Sequence, residues 1–526
     1  VNHKDTVRST LKITYGTIIS KILGFLREVI IAAKFGATSV SDAFFLALQI
    51  PVLFRRVLGE EMFEKTVMPV FKNKLFRDKK DAWRFLSAFF WYSVLISLLA
   101  VIFLYALKKP LISLIAPGIT DPETIGLINK MTTILIPYLI LTTIYSFMGT
   151  VFNFTRRQFI FAVGPAVSNI AIILAIILLY PYIKEISLPA GFLLGGAFYI
   201  VFLVPFFLSK NFRRDYAPRL SISLRHDTNI MKKTFSESAW VFLQALLNKS
   251  VELVDRIIAS FLIPGSISGL WYAKRLEQLP SSIISMSIAR AVLSRLSDCY
   301  SEEKIREFGD TVTYGIKLCC SVILPITVLL CILGKPLSIF IYKRGEFSSE
   351  AAGLTSSAFM AYSAGLLSVA LYNIFSRAYS VLSKNRFTTI TMFCASLLNI
   401  ALSILLATTK LKLAGIALAS SISFYFASAV LFAGLKKELK SLDYSFDYKG
   451  LYIFFLKLFS ASVLMGIPVY YGYKMLYKAF YKGFILFYFD MGLLLIIALA
   501  SLSGVISYLA LCWIFNIRTV KNLFKT

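Results

Sequence analysis

Histidine and acidic side chains are what this 526-residue chain is short of: it holds two histidines, and 28 aspartates and glutamates against 56 lysines and arginines. His3 and His226 both fall outside the apolar segments, and no Asp-rich motif occurs. A polyprenyl-phosphate glycosyltransferase, which needs clustered carboxylates for a divalent metal or a histidine base, is therefore disfavoured. The six cysteines, Cys299, Cys319, Cys320, Cys331, Cys394 and Cys512, show no metal-ligand spacing, and no disulfide is expected. Charge of either sign is scarce as well, at 16% of residues against 57% hydrophobic, which is far too apolar for an ordinary soluble protein. A cleavable signal peptide is also missing: the first apolar stretch is long and carries Lys21, Arg27 and Glu28, so it is expected to stay as a membrane helix.

What is present is a succession of mostly apolar segments, each long enough to cross a hydrocarbon core of ~30 Å as a helix. Fourteen are expected, at about 10–34, 41–70, 86–107, 125–154, 159–181, 188–208, 235–262, 267–297, 311–333, 351–382, 387–408, 413–435, 451–473 and 489–515. The fold expected is thus all-α and polytopic.

The chain also repeats itself. Arg27, Gly36 and Pro51 recur as Arg256, Gly265 and Pro280, each at an offset of 229 residues. Phe159 and Asn169 find counterparts in Phe387 and Asn399, at offsets of 228 and 230. Two pseudo-symmetric six-helix lobes follow, 1–215 and 216–440, with a helix pair at 441–526 standing outside the repeat. A duplicated helical bundle in a bilayer is a common transporter plan, with the solute path between the halves.

Because six is even, both lobes share one orientation, and the loops tell which. Lys72–Arg84 holds six basic and two acidic residues, and Lys210–Lys233 seven and two; the opposite loops are shorter or poorer in charge. The positive-inside rule then places both termini in the cytoplasm. That bias and the attraction of anionic lipid account for much of the net charge of +28, so the high pI lends nothing to a nucleic-acid role.

An Arg or Lys at mid-membrane costs at least about 2.5 to 3.5 kcal/mol on insertion scales, so an embedded cation normally faces a protein interior or a wet cavity. Such residues concentrate in the first two segments of each repeat: Lys21, Arg27 and Glu28; Asp42, Arg55 and Arg56; Lys249, Glu252, Asp255 and Arg256; Lys274, Arg275, Glu277 and Arg290. A cationic cavity walled by those four segments is expected. Guanidinium forks grip phosphate oxygens in pairs, and several in a ring match a diphosphate, so the solute should be anionic. Arg27 and Glu28 are adjacent and are not expected to point in one direction on their helix, though either can bind a partner across the cavity; Glu28 and Asp42 are expected to pair with arginines when the cavity is empty. Pro51, Gly59 and Pro69 make the second segment look broken, as cavity-lining membrane helices often are.

The run SKILGFLREVIIAAKFGATSVSDAFFLALQIPVLFRRVLGEEMFEKTVMPVF, with WYAKRLEQLP in the eighth segment, resembles the MurJ (MviN) family of lipid II flippases, of the multidrug/oligosaccharidyl-lipid/polysaccharide exporter superfamily. The resemblance covers essentially the whole chain. It implies a non-enzymatic transporter of the bacterial inner membrane that flips lipid II, the undecaprenyl-diphosphate-linked peptidoglycan precursor. The essential cavity positions would fall on Arg27, Arg55, Arg275 and Lys21, with Glu28 and Asp42 as acidic members. Lys21 stands where an Arg is frequent, keeping charge without the planar fork, and Glu28 where an Asp is frequent. Family members with a sodium site would place it here on Asp255, Asn399, Ser403, the carbonyl of Ile416 and Ser420, with Ser403 standing where a second carboxylate is expected. The helix pair would hold the prenyl tail. No other cofactor is implied; the partners are lipid II, membrane lipids and cell-wall synthesis proteins, and the chain is expected to be a monomer. The rivals are a flippase for another polyprenyl-linked polysaccharide, which only the detailed motif of the first two segments separates, and a multidrug/cation antiporter, which should have an acidic cavity.

Overall fold

The computed structural model describes residues 3–54, 63–155, 157–210, 228–481, 485–486, 489–517 and 519–520. It is helical almost throughout, since in lipid each backbone N–H and C=O must be paired within its own segment. Eighteen α-helices are distinguished among the described residues: α1 His3–Phe35, α2 Ser39–Phe54, α3 Met68–Arg77, α4 Lys79–Ile115, α5 Pro122–Leu135, α6 Tyr138–Phe154, α7 Gln158–Ile183, α8 Ser187–Leu208, α9 Thr228–Ala259, α10 Ser266–Pro280, α11 Met286–Ser301, α12 Ile305–Tyr342, α13 Ser349–Ala364, α14 Leu366–Val381, α15 Asn385–Ala407, α16 Leu413–Lys440, α17 Tyr448–Phe480 and α18 Met491–Ile514. A two-residue antiparallel pairing, Ile485–Leu486 with Phe489–Asp490, joins the last two. Short polar side chains mark many helix starts, where free N–H groups need acceptors. Asp78 accepts from Lys80, Asp121 from Thr124, Ser348 from Ala351, Asp447 from Gly450 and Asp490 from Leu493.

By length and apolarity, eight helical stretches qualify as membrane spans among the described residues, and a pair bent by 41° at Gly365, α13 with α14, makes a ninth. One of the eight, 158–208, is 51 residues long and turns at Lys184–Ile186 so that α7 and α8 pack on each other as a hairpin. The described helices outside these spans are α1, α9 and the shorter α2, α3, α10 and α11; apart from α3 they belong to the charged segments of each repeat, and α2 is apolar but short. All fourteen expected segments fall in helical structure where they are described, but their number as crossings does not follow from length and composition.

The contacts divide the chain into two compact units, 1–264 and 265–526. In the first, α1 lies along α7, α2 packs on α5, and α9 touches α2 and α4. One of its cores is aromatic, with Phe63, Phe71, Trp83, Phe85, Phe89, Phe147 and Phe152 all essentially sealed from solvent. In the second, α13 lies between α10, α12 and α16, α15 pairs with α16, and the α17–α18 hairpin docks on α12. Hydroxyls tie helices together where apolar contact offers little net gain in lipid: Ser97 with Thr143 at 2.7 Å, Ser428 to the Ser368 carbonyl at 2.7 Å, and Tyr508 to the Ser321 carbonyl at 2.6 Å. The outer faces are apolar stripes at helical spacing, such as Tyr452, Leu456, Phe459, Val463, Ile467 and Tyr470 on α17. In water such stripes would aggregate; in a bilayer they face acyl chains.

The internal repeat is visible in the backbone. Gly36 and Gly265, repeat partners, both sit at positive φ, 64° and 88°, where the chain enters α2 and α10. Lys184 and Lys412, 228 positions apart, share an unusual backbone, φ 44° with ψ −121° and φ 45° with ψ −115°, at the turns of the α7–α8 and α15–α16 hairpins. Each unit also carries one π-helical turn, at Phe63–Val67 and Ser281–Ser285.

Gly118 is where backbone meets backbone. Its N–H donates to Ser260 at 3.1 Å, and a Cβ there would lie 2.5 Å from the main chain of Ser260 and Phe261. Gly118→Ala should lower the melting temperature of the detergent-purified protein, at a cost of about 1 to 3 kcal/mol. Gly126→Ala, with open space around its Cβ, should leave it unchanged or raise it.

Candidate functional site

Each unit holds embedded charges, and in each they are met by neighbours on the same unit. On α1, the Arg27 guanidinium donates through Nη1 to Asn169 Oδ1 of α7 at 2.8 Å and through Nη2 to Glu28 Oε1 at 2.5 Å. One face of it lies over the Phe192 ring of α8, 4.9 Å from the centroid. Glu28 is buried, with 3% of its side chain exposed, while 16% of Arg27 remains accessible. The Nε hydrogen of Arg27 finds no acceptor among the described residues. Asn169 turns its amide the other way, donating to the Ser20 carbonyl at 3.3 Å, and stands 3.2 Å from where a Cβ on Gly24 would be. A large residue at 24 would push Asn169 off the guanidinium.

The expectation that Arg27 and Glu28 do not point in one direction is corrected. They are adjacent on the helix, yet the long arginine side chain curls back far enough to grip its neighbour's carboxylate. An ion pair in a low-dielectric setting stands only if its remaining groups are also satisfied, and Asn169 and Phe192 supply much of that.

The other expected residues of the first unit are placed as follows. Lys21 is exposed on α1, and Asp42 is buried in the first turn of α2, 4% exposed. Arg55, with Arg56 and Gly59 of the expected break in the second segment, lies outside the described residues, as does the side chain of Lys249. Arg256, the repeat partner of Arg27, reaches α2, donating to the Gln49 side chain and to the Phe45 carbonyl at 3.4 Å. Its neighbour Asp255 is buried at 4% exposure.

In the second unit, Arg275 on α10 lies over the Trp271 ring at 4.4 Å and donates to Gln278 at 3.1 Å. Lys274 pairs with buried Glu277 at 2.8 Å and sits over the Tyr362 ring at 4.6 Å. Just past α12, the loop residue Arg344 donates to the Phe340 carbonyl, and burial pulls its guanidinium down to about 10, still charged at neutral pH. On α15 and α16, Asn399 donates to Ser420 at 2.8 Å and Ser403 donates to Asn399 Oδ1 at 3.2 Å. Ile416, whose carbonyl was expected to join them, is buried one turn before Ser420. The donor set is all oxygen apart from the amide nitrogen of Asn399, the kind a hard cation prefers. The carboxylate of the expected set, Asp255, belongs to the first unit.

Sequence reasoning picked out Asn169 as a repeat marker and missed that it holds Arg27. It also missed Phe192, Trp271, Gln278 and Gln49. The signal for Asn169 was available: an amide in an otherwise apolar helix, in register with Asn399, needs a buried partner. Asn169→Leu, close in size but unable to accept, should lower stability by about 1.5 to 3 kcal/mol, whereas Asn169→Asp keeps an acceptor and should cost less; thermal unfolding in detergent compares them.

Comparison with known proteins bears on what this arrangement serves. Residues 31–490 match the family model described as lipid II flippase MurJ. A probable lipid II flippase MurJ of Buchnera aphidicola subsp. Baizongia pistaciae is 28% identical over 500 residues, covering 92% of this chain and 94% of that one. Another probable lipid II flippase MurJ, from Thermotoga maritima, is 26% identical over 99% of both chains. Among solved structures, a lipid II flippase MurJ in an inward closed conformation superposes with a TM-score of 0.79 at 26% identity, over 97% of this chain and 99% of that one. A multidrug resistance MATE transporter of the MOP superfamily, at 13% identity and TM-score 0.70 over 83% of this chain and 99% of that one, shares the fold. With a family match running over most of its length, a like-sized set of relatives and the same helical architecture, this membrane chain belongs to the lipid II flippase MurJ family.

Proposed function

We infer that this chain carries lipid II from the inner to the outer leaflet of the bacterial cytoplasmic membrane, as a transporter without catalytic chemistry of its own, and so serves peptidoglycan synthesis. Beside family membership, the observation that carries the reading is Arg27: a guanidinium held on an amide, a carboxylate and an aromatic face, with 16% of its side chain still accessible. A fixed fork that is not fully covered suits a phosphate oxygen. Arg27, Arg55 and Arg275 take the diphosphate, and Lys21 adds attraction without bidentate binding. Glu28 and Asp42 neutralise the arginines when no substrate is bound, so the empty state is not torn by like charge. In the second unit, Trp271 and Gln278 orient Arg275 as Asn169 and Phe192 orient Arg27.

The lobes 1–215 and 216–440 alternate between inward and outward access, both termini stay in the cytoplasm, and the chain works as a monomer beside the cell-wall synthesis machinery. The helix pair 441–526 takes the prenyl tail, which its exposed apolar stripe suits. An inside-negative potential favours the inward return of a cationic empty state, by ~2.3 kcal/mol per charge per 100 mV. Sodium, held by Asp255, Asn399, Ser403, the Ile416 carbonyl and Ser420, would supply a second gradient. An antiporter of organic cations is not favoured: the buried carboxylate Glu28 is already taken by Arg27.

In bacteria depleted of their own lipid II flippase, the parent chain should restore growth. Arg27→Ala and Arg275→Ala, expressed in the membrane at equal level, should not, and Arg27→Lys should rescue weakly; full rescue by both alanine variants would refute the diphosphate assignment. If sodium contributes, replacing it with choline should slow lipid II transport by the parent several-fold and leave the Asp255→Asn variant unaffected by the exchange.

A further inference from the structure

Besides the embedded arginines, the first unit carries a cationic recess. An open cleft of about 720 Å³ lies between α3 and the start of α9, lined by Val70, Asn73, Lys74, Phe76, Arg77, Ile230 and Thr234. Its volume falls in the range of small-molecule sites. The lining is divided in character. Asn73, Lys74 and Arg77 bring an amide, an ammonium and a guanidinium, and Val70, Ile230 and Phe76 bring apolar surface.

The cleft has a fixed floor. Lys74 is mostly covered, with 18% of its side chain exposed, and is paired with Asp81 at 2.6 Å. Phe71 buries against Trp83 on one flank of α3, and Thr66 bonds Ser238 of α9 at 2.9 Å. Arg77 is exposed and has no hydrogen-bond or ion-pair partner among the described residues. Phe76 beside it is 87% exposed, far more than an aromatic ring tolerates in water without reason. Just past the cleft, α4 opens with Lys79, Lys80 and Arg84 before its apolar run, so α3 and the cleft sit at a membrane boundary. An exposed cation, a partly neutralised one and an uncovered ring at that level match the phosphate and upper chain of a lipid.

We propose that the cleft between α3 and α9 is a binding site for the headgroup of an anionic phospholipid, with Arg77, Lys74 and Asn73 on the phosphate and Phe76 in the acyl boundary. This site shares no residue with the diphosphate set and does not depend on the identity of the cargo. Occupied, it bridges α3 to α9 and anchors the α3 end of the unit in anionic membrane.

The test is titration of the full-length protein in neutral detergent with phosphatidylglycerol, phosphatidylcholine or inorganic phosphate, read by native mass spectrometry. Phosphatidylglycerol should bind in preference to phosphatidylcholine. Lys74→Gln with Arg77→Gln should weaken it at least fivefold, whereas Lys79→Gln with Lys80→Gln, an equal change in charge, should weaken it less than twofold. Phe76→Ser, at a site too exposed to affect folding, should weaken it without changing net charge. Millimolar phosphate should not compete. Equal loss in both lysine-containing pairs would reduce the effect to diffuse charge and overturn the proposal. So would equal binding of the two phospholipids, competition by free phosphate, or displacement of phosphatidylglycerol by sub-stoichiometric lipid II.

Discussion

The rest of the structure depends on the cost of keeping a charge where there is little water. A guanidinium cannot shed its charge to escape that cost, so it must be supplied with acceptors, and the acceptors must be held in place by something. Around Arg27 this requirement propagates outward: Glu28 and Asn169 accept, Asn169 is braced on the Ser20 carbonyl, and Gly24 stays small so that α1 can lie close to α7. The packing of two helices is thereby tied to the position of one cation.

The same constraint separates the helices into two kinds. Those that meet lipid on one face and core on the other are apolar enough to be recognised as spans, and they are joined by serine and tyrosine hydroxyls reaching carbonyls on neighbouring helices. The helices of the charged segments are not among those spans, several of them because they are short, and they carry the described residues that the family resemblance assigns to substrate. In a membrane protein the segments least like membrane helices are the ones to examine for function, because only they had a reason to retain charge.

The helical class, the duplication and the charged segments were legible in the residues because each leaves a one-dimensional trace: hydropathy in runs of about twenty, identical spacing at an offset of 229, and charges where none should be. The paired turns at Lys184 and Lys412 were not legible, since a lysine at positive φ follows from the hairpin geometry around it and from nothing in its own identity. The contact between Arg27 and Glu28 escaped for a related reason. Helical direction is set at Cβ, but a side chain with four rotatable bonds can end far from where its Cβ points. Phe192 and Trp271 escaped because aromatics are common in apolar helices, and only a spatial neighbour distinguishes a guanidinium's partner from ordinary core; the amide of Asn169 did leave a trace, but not the identity of its partner.

The central claim is that cations fixed in these helices recognise a diphosphate. Its most direct measurement is the affinity of the purified protein for lipid II against undecaprenyl monophosphate, in the parent and in Arg27→Gln. The account predicts that the parent prefers lipid II by tenfold or more and that Arg27→Gln loses most of that preference while binding the monophosphate nearly as before. Equal affinity of the parent for both lipids, or an undiminished preference in Arg27→Gln, would contradict it.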